Sequence, residues 1–222
     1  MNKTKIEWTD YSWNPITGCL HNCWYCYAKK LFTRFHRSFE PTFYPERLSE
    51  PSKLNNKKPV KIFCCSVADL FADWTKLKWR KQVLEAIECY GKSNQSLIFQ
   101  LLTKNPENLQ NFAYPDNVWV GVTINLKSEL NKIEQLRFNT NSHIKFVSFE
   151  PLLEDVGDLN LEGVDWIIVG KLTGSKKIKL QNSWVMNILK QARDCKVPIF
   201  IKDNVKWDKK IQEFPNVKNL PS

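Results

Sequence analysis

Three closely set cysteines, in Cys19-Leu20-His21-Asn22-Cys23-Trp24-Tyr25-Cys26, are the part of this chain best suited to chemistry. Their C-x3-C-x2-C spacing, with an aromatic directly before the last thiol, lets one short loop present three sulfurs to a single polynuclear centre. An iron–sulfur cubane ordinarily takes four thiolates. Three thiolates therefore imply a [4Fe-4S] cluster with one iron open to a ligand from outside the protein. Gly18 lets the backbone turn sharply into the loop, and the metal itself would hold the thiols deprotonated. The competing reading is a zinc site completed by His21 or a further cysteine. Zinc sites usually pair two C-x2-C halves across a spacer, and the sequence has no second half. Cys64, Cys65, Cys89 and Cys195 read as small buried hydrophobes. Cys64 and Cys65, adjacent in an apolar strand, should face opposite sides.

A chain of 222 residues, 42% of them hydrophobic, can bury a substantial core in one domain. We assign it to residues 1–207, with the cysteine loop at 19–26, a long proline-rich connection at 38–59 and a tail at 208–222. No apolar run approaches the ~18 residues of a membrane span. The start lacks an apolar signal core, and an odd number of cysteines argues against a secreted disulfide framework, so a cytoplasmic protein is expected. The net charge of +10 is uneven. Residues 29–61 carry nine Lys/Arg against three acids, and residues 166–222 carry twelve against four, whereas residues 62–165 are mildly acidic. Basic ends are the footprint of a polyanionic partner, a nucleic acid or nucleotide, or else simply solvated lysine-rich faces.

The elements that must position the cysteines follow from periodicity. Apolar runs at Val60–Ser66, Leu97–Leu102, Val118–Ile124, Ile144–Phe149, Trp166–Gly170 and Pro198–Lys202 predict strands, with a weaker one at Ser12–Thr17. Most are continuously apolar, as in a parallel sheet covered on both faces. Helices are expected after Cys26, where Tyr27, Leu31 and Phe35 share one face, and over Lys78–Tyr90. Two more should be capped by Ser128 and Ser183. Of the nine tryptophans, Trp79, Trp166 and Trp184 sit on core-facing patterns, while Trp8, Trp13 and Trp24 flank the loop. Repeated strand–helix units predict an α/β fold, an open, partial (β/α)6-type barrel of parallel strands with outer helices. Such folds place chemistry at the carboxyl ends of the strands. The cysteine loop follows the first strand and should lie at that end. Ser66 and Asp69, Thr103 and Lys104, Asn125, and Glu150 mark four further strand ends with polar groups.

The cysteine motif and its place after the first strand resemble the radical S-adenosylmethionine (radical SAM) enzymes. More particularly, Thr4-Lys-Ile-Glu-Trp-Thr-Asp-Tyr-Ser-Trp-Asn-Pro-Ile-Thr-Gly-Cys, Ser66-Val-Ala-Asp-Leu-Phe, Leu102-Thr-Lys-Asn-Pro-Glu, Phe149-Glu-Pro-Leu-Leu and Asp165-Trp-Ile-Ile-Val-Gly look like a short, bacteriophage-associated radical SAM-like family. Its substrate is unassigned, and it is distantly similar to spore photoproduct lyase. The resemblance implies a partial radical SAM barrel and a [4Fe-4S] cluster on Cys19, Cys23 and Cys26. It implies that S-adenosyl-L-methionine fills the open iron position and that an electron donor such as flavodoxin or ferredoxin reduces the cluster. It further implies cofactor contacts from Tyr25 (adenine), Ser66 or Asp69 (ammonium), Thr103 and Lys104 (carboxylate), Asn125 (ribose) and Glu150. Two departures stand out. The first two cysteines lie closer together than in many members, and Gly170-Lys-Leu-Thr-Gly174 replaces a Gly-Gly-Glu-Ser-Gly pattern, losing a carboxylate. A metal-stabilised nucleic-acid-binding protein without catalysis is the alternative.

Overall fold

Long runs of β-branched and aromatic residues bury both of their faces and become the strands of a mostly parallel α/β fold. The structure, a computed structural model, describes residues 1–54, 58–174 and 178–216. Residues 55–57 of the expected connection and 217–222 of the expected tail lie outside the described residues. The strands are β1 (Asn2–Lys3), β2 (Tyr11–Trp13), β3 (Ile16–Thr17), β4 (Thr42–Phe43), β5 (Val60–Cys64), β6 (Leu97–Thr103), β7 (Val118–Thr123), β8 (Ile144–Phe149), β9 (Trp166–Val169) and β10 (Ile199–Ile201). The α-helices are α1 (Tyr27–Arg34), α2 (Leu77–Ser93), α3 (Asn131–Asn139) and α4 (Asn182–Asp194). Among the described residues no helix is long and apolar enough to cross a membrane. The described residues form two compact units, one of Met1–Thr103 with Tyr114–Trp119, the other of Lys104–Ala113 with residues 120–216.

In the first unit the sheet order is β1–β2–β5–β6. Strands β2, β5 and β6 run parallel, Trp13 lying opposite Cys64 and Cys64 opposite Leu101, while β1 is antiparallel to β2. The single strand expected over Ser12–Thr17 is split at Pro15, which has no N–H for a ladder. β2 therefore stays with β5, and β3 pairs instead with β4. The 38–59 connection accordingly carries structure: β4, then a 3-10 helix at Pro45–Lys53 whose Arg47 carbonyl accepts the Trp13 indole N–H at 2.7 Å. Helix α2 buries Val83 and Ile87 as its stripe predicts, together with Arg80, whose guanidinium donates to the Ala72 carbonyl.

In the second unit the order is β7–β8–β9–β10, β8, β9 and β10 being parallel. Neither expected serine caps its helix. Ser128 falls inside a 3-10 turn, Lys127–Glu129, where the Glu129 carboxylate accepts the Asn125 and Leu126 N–H groups at 2.7 and 3.2 Å, and α3 begins after Leu130 with no side-chain cap. Helix α4 starts at Asn182, so Ser183 already lies within it. Residues 211–214 close over the last strand. Gln212 bridges Phe200, and the Phe214 ring lies 5.3 Å from Trp166. The Glu213 carbonyl accepts the Trp166 indole N–H at 2.8 Å, and its carboxylate takes both Arg193 nitrogens at 2.7 Å and the Ile199 N–H at 3.1 Å.

The bidentate Arg193 guanidinium holds the Glu213 carboxyl below the usual carboxylate range. A depressed folded-state pKa stabilises above the unfolded value of about 4.3 and is lost as pH falls through the folded value. Glu213→Gln should therefore lower Tm at neutral pH, with the gap to the parent closing in thermal unfolding below about pH 4. The pair is part-exposed, so the effect should be small.

Candidate metal centre

The cysteine loop is pinned where it begins. Gly18 has φ +87° and donates its N–H to the Val67 carbonyl at 3.1 Å, while Cys19 N–H reaches the Phe39 carbonyl at 3.1 Å. A Cβ on Gly18 would stand 2.2 Å from the Glu40 carbonyl oxygen, so the chain passes this point only as glycine. Asn22 supplies a second left-handed turn, φ 51°, and its side-chain oxygen accepts Lys29 Nζ at 2.7 Å. Cys26 N–H closes back on the Cys23 carbonyl at 3.0 Å. Cys26 is also the N-cap of α1, its Sγ accepting the Lys29 N–H at 3.3 Å.

The three loop thiols are free and part-buried. Burial pushes the Cys19 thiol up to about 12, and the nearby charges of Asp69, Cys23 and Cys26 act in the same direction against a hydrogen bond from the His21 backbone. The loop thus draws three sulfurs and a carboxylate into one neighbourhood, and a metal loaded there must displace a proton from Cys19. Among the described residues no three His, Cys, Asp or Glu side chains stand close enough to share one metal ion. A single ion, with sulfurs at about 2.3 Å, demands that closeness. A cluster, which gives each thiolate its own iron, does not. Three free thiols on one short loop, one of them at a helix N-terminus, are a donor set that fits such a cluster.

The end of β5 approaches this loop through a sharp turn. Cys65 takes φ +59°, which swings its side chain off the strand alternation. The Cys64 and Cys65 sulfurs therefore lie 3.7 Å apart instead of facing opposite sides. Both are buried, as expected, whereas Cys89 and Cys195 are exposed, contrary to expectation, because they lie on the outward sides of their helix ends. After the turn the Ser66 hydroxyl donates to Asn14 Oδ1 at 3.2 Å, and the Ser66 carbonyl accepts the Tyr27 hydroxyl at 2.8 Å. Asp69 is 4% exposed. Its carboxylate meets His21 Nε2 at 2.8 Å and accepts the Phe71 N–H at 3.0 Å and the Thr103 hydroxyl at 2.7 Å. Asp69 and Thr103 are thus brought together with the cysteine loop through His21, whose ring also packs edge-on against Trp74 at 4.7 Å. The Tyr25 ring lies edge-on to Trp24 at 5.4 Å.

The remaining strand-end residues belong to the second unit. Lys104 Nζ donates to Asn125 Oδ1 at 2.6 Å, and Asn125 Nδ2 donates to the Pro151 carbonyl at 2.8 Å. Glu150 forms an ion pair with Lys202. Gly170 leaves room for that pair, since a Cβ there would come within 3.0 Å of both side chains. Sequence reasoning missed Asn14 and Lys202. Asn14 does its work through a contact 52 residues away, which no local pattern announces. Lys202 follows β10 as Glu150 follows β8, and opposite charges just after two strands of one sheet, either side of β9, were the available signal.

A family model described as "Protein of unknown function (DUF5131)" matches residues 3–219. No curated protein matches the chain. Among solved structures, a doubly substituted spore photoproduct lyase "with bound AdoMet and dinucleoside spore photoproduct" is similar at TM-score 0.62 and 10% identity, over 90% of this chain and 78% of that one. A singly substituted spore photoproduct lyase matches at TM-score 0.60 and 10% identity with the same coverage. A third structure, spore photoproduct lyase "complexed with dinucleoside spore photoproduct", matches at TM-score 0.53 and 11% identity, over 86% of this chain and 63% of that one. The fold is therefore similar to that of the spore photoproduct lyase barrel.

Gly18→Ala should cost about 1–3 kcal/mol from backbone conformation alone, before the contact with Glu40 is counted. Urea unfolding measures it. Asp69→Ala, which strands the Phe71 N–H and the Thr103 hydroxyl, should cost about 3 kcal/mol by the same measurement, and Asp69→Asn less.

Proposed function

The chain belongs to the DUF5131 family, and from its cysteine loop and fold we propose that it is a radical SAM enzyme. The observation that carries this reading is the group of three free thiols at C-x3-C-x2-C spacing on a loop pinned beside the end of β5. The likeness of the fold to spore photoproduct lyase, one structure of which holds AdoMet, supports it. When bound, a [4Fe-4S] cluster and S-adenosylmethionine would supply one-electron cleavage chemistry and hydrogen abstraction from a substrate.

The chain's own residues divide the remaining work. Cys19, Cys23 and Cys26 hold iron. Cys26 does so with its sulfur already oriented by the Lys29 N–H. Ser66 is the better placed of the two ammonium acceptors, because the Asp69 carboxylate is buried and engaged by His21, Phe71 and Thr103. Asp69 then acts as a positioning residue, with His21 relaying its hold to the loop. Tyr25, next to the last ligand, offers ring and backbone to the adenine. The buried Trp8 and Trp13, near the loop in sequence, belong to the apolar core that limits water around it. The basic ends of the chain favour a nucleic acid or nucleotide as substrate.

Anaerobic reconstitution with iron and sulfide tests the cluster. About four irons per chain and the visible absorbance of a cubane should appear. Cys19→Ser, Cys23→Ser and Cys26→Ser should each abolish both, whereas Cys89→Ser and Cys195→Ser should change neither. Stoichiometric zinc in place of iron would overturn the assignment. With a cluster present, dithionite and S-adenosylmethionine should release 5′-deoxyadenosine, and no release would leave a metal-stabilised binding protein as the better reading.

A further inference from the structure

A cleft of about 690 Å³ opens in the first unit, bordered by β2, helix α1 and the 3-10 helix at Pro45–Lys53. That volume falls among small-molecule sites, which span about 300–1,000 Å³. Its lining includes none of the three loop cysteines and none of the residues proposed above to contact the cofactor. The cleft is a separate place, one to which the radical SAM reading gives no task.

Three cations line it, Arg37, Arg47 and Lys53, and the acid among its lining residues, Glu50, is already paired with the Met1 ammonium. Arg47 is held in place: its Nη1 donates to the Asn14 carbonyl at 3.0 Å, and its guanidinium lies 3.9 Å over the Tyr44 ring. A fixed, planar fork of this kind suits the oxygens of a phosphate. Arg37 and Lys53 are exposed and form no ion pair among the described residues. Deeper in, Thr17 is only 7% exposed, yet its hydroxyl has no hydrogen-bond partner among the described residues. A buried hydroxyl left so costs free energy that a ligand's polar group would recover. The Ser12 hydroxyl, also in the lining, is likewise unpartnered among the described residues. Tyr11 and Phe32 add aromatic rings. Phe32 lies off the side of α1 on which Tyr27, Leu31 and Phe35 meet solvent, and its ring packs on Phe39 at 4.9 Å. Aromatic walls, hydroxyls and a cationic rim are the three kinds of group that a base, a ribose and a phosphate require.

We propose that this cleft binds a nucleoside phosphate, with Tyr11 and Phe32 toward the base, Ser12 and Thr17 toward the sugar, and Arg37, Arg47 and Lys53 on the phosphate groups. A free nucleotide and the 5′-phosphorylated end of a strand both offer that chemistry. The occupant sits beside the ground on which the cysteine loop stands. Asn14 and Val67 line the cleft; Asn14 Oδ1 accepts the Ser66 hydroxyl and the Val67 N–H, and the Val67 carbonyl accepts the Gly18 N–H. The site itself needs no cluster, so its success or failure is independent of the radical SAM reading.

Titration calorimetry on the full chain tests it, with ATP, inorganic tripolyphosphate and a 5′-phosphorylated oligonucleotide as probes. ATP should bind one to one and about tenfold tighter than tripolyphosphate, which carries the charge without the nucleoside. Arg37→Glu with Lys53→Glu alters only exposed side chains and should weaken ATP about tenfold or more. Thr17→Val, which keeps the shape and removes the hydroxyl, should weaken it about threefold or more. Lys190→Glu with Lys209→Glu makes the same change in net charge on exposed residues elsewhere and should leave the Kd unchanged. Circular dichroism checks each fold, and the two lining variants report independently if one is lost. The strand end is the source if the oligonucleotide binds tighter than ATP and the Arg37 and Lys53 substitutions weaken it alike; otherwise the source is the free nucleotide. No saturation by ATP or oligonucleotide below about 1 mM would overturn the proposal. So would equal affinity for tripolyphosphate, equal weakening by the distant lysine pair, or displacement of ATP by S-adenosylmethionine.

Discussion

A single buried carboxylate organises the region around the cysteines. Asp69 is almost fully buried, and a buried polar group costs free energy unless it is hydrogen-bonded. Its partners come from three places: its own turn through the Phe71 N–H, the end of β6 through Thr103, and the cysteine loop through His21. Satisfying one ion thus fixes three segments distant in sequence against one another. The loop inherits a defined position from that requirement and from the narrow passage at Gly18, where the Glu40 carbonyl leaves no space for a side chain.

The parallel strands were the most legible part of the fold. Val60–Cys64, Leu97–Thr103, Ile144–Phe149 and Trp166–Val169 are runs of β-branched and aromatic residues bounded by polar ones, and a sheet covered on both faces leaves such a run few alternatives. What escaped were decisions settled by competition between nearby groups. Ser128 caps no helix because it lies inside the 3-10 turn Lys127–Glu129 that precedes α3, where the Glu129 carboxylate reaches two N–H groups at once. The strand over residues 12–17 broke because Pro15 forfeits a ladder bond. The two sulfurs at 64 and 65 meet because one backbone dihedral changes sign at the strand end, a choice made by the turn that follows.

The site was legible in a similar, divided way. Cysteine spacing put three free thiols on one loop, since residues sharing a short loop are close in sequence. The groups that hold the loop, Asn14 and the His21–Asp69 pair, act across roughly fifty residues and have no local signature. Periodicity correctly put Tyr27, Leu31 and Phe35 on one face of a helix. It is blind to whether that face meets a core or solvent, because both outcomes share a repeat of 3.6 residues.

Cys26 serves the chain twice, as one of the three free thiols of the loop and as the residue from which α1 starts. A helix of eight residues is well below the length at which helices persist unaided in water, and α1 buries little beyond Ala28. Its order draws on its first turn, where the sulfur meets the Lys29 N–H and the Tyr27 hydroxyl meets the Ser66 carbonyl, and on the Phe32 ring against Phe39. Whatever fixed that sulfur would lower the entropy cost of nucleating α1, and an ordered α1 would in turn present the sulfur. The exposed apolar stripe of Tyr27 and Leu31 thereby stands on the same turn of chain that presents the last thiol.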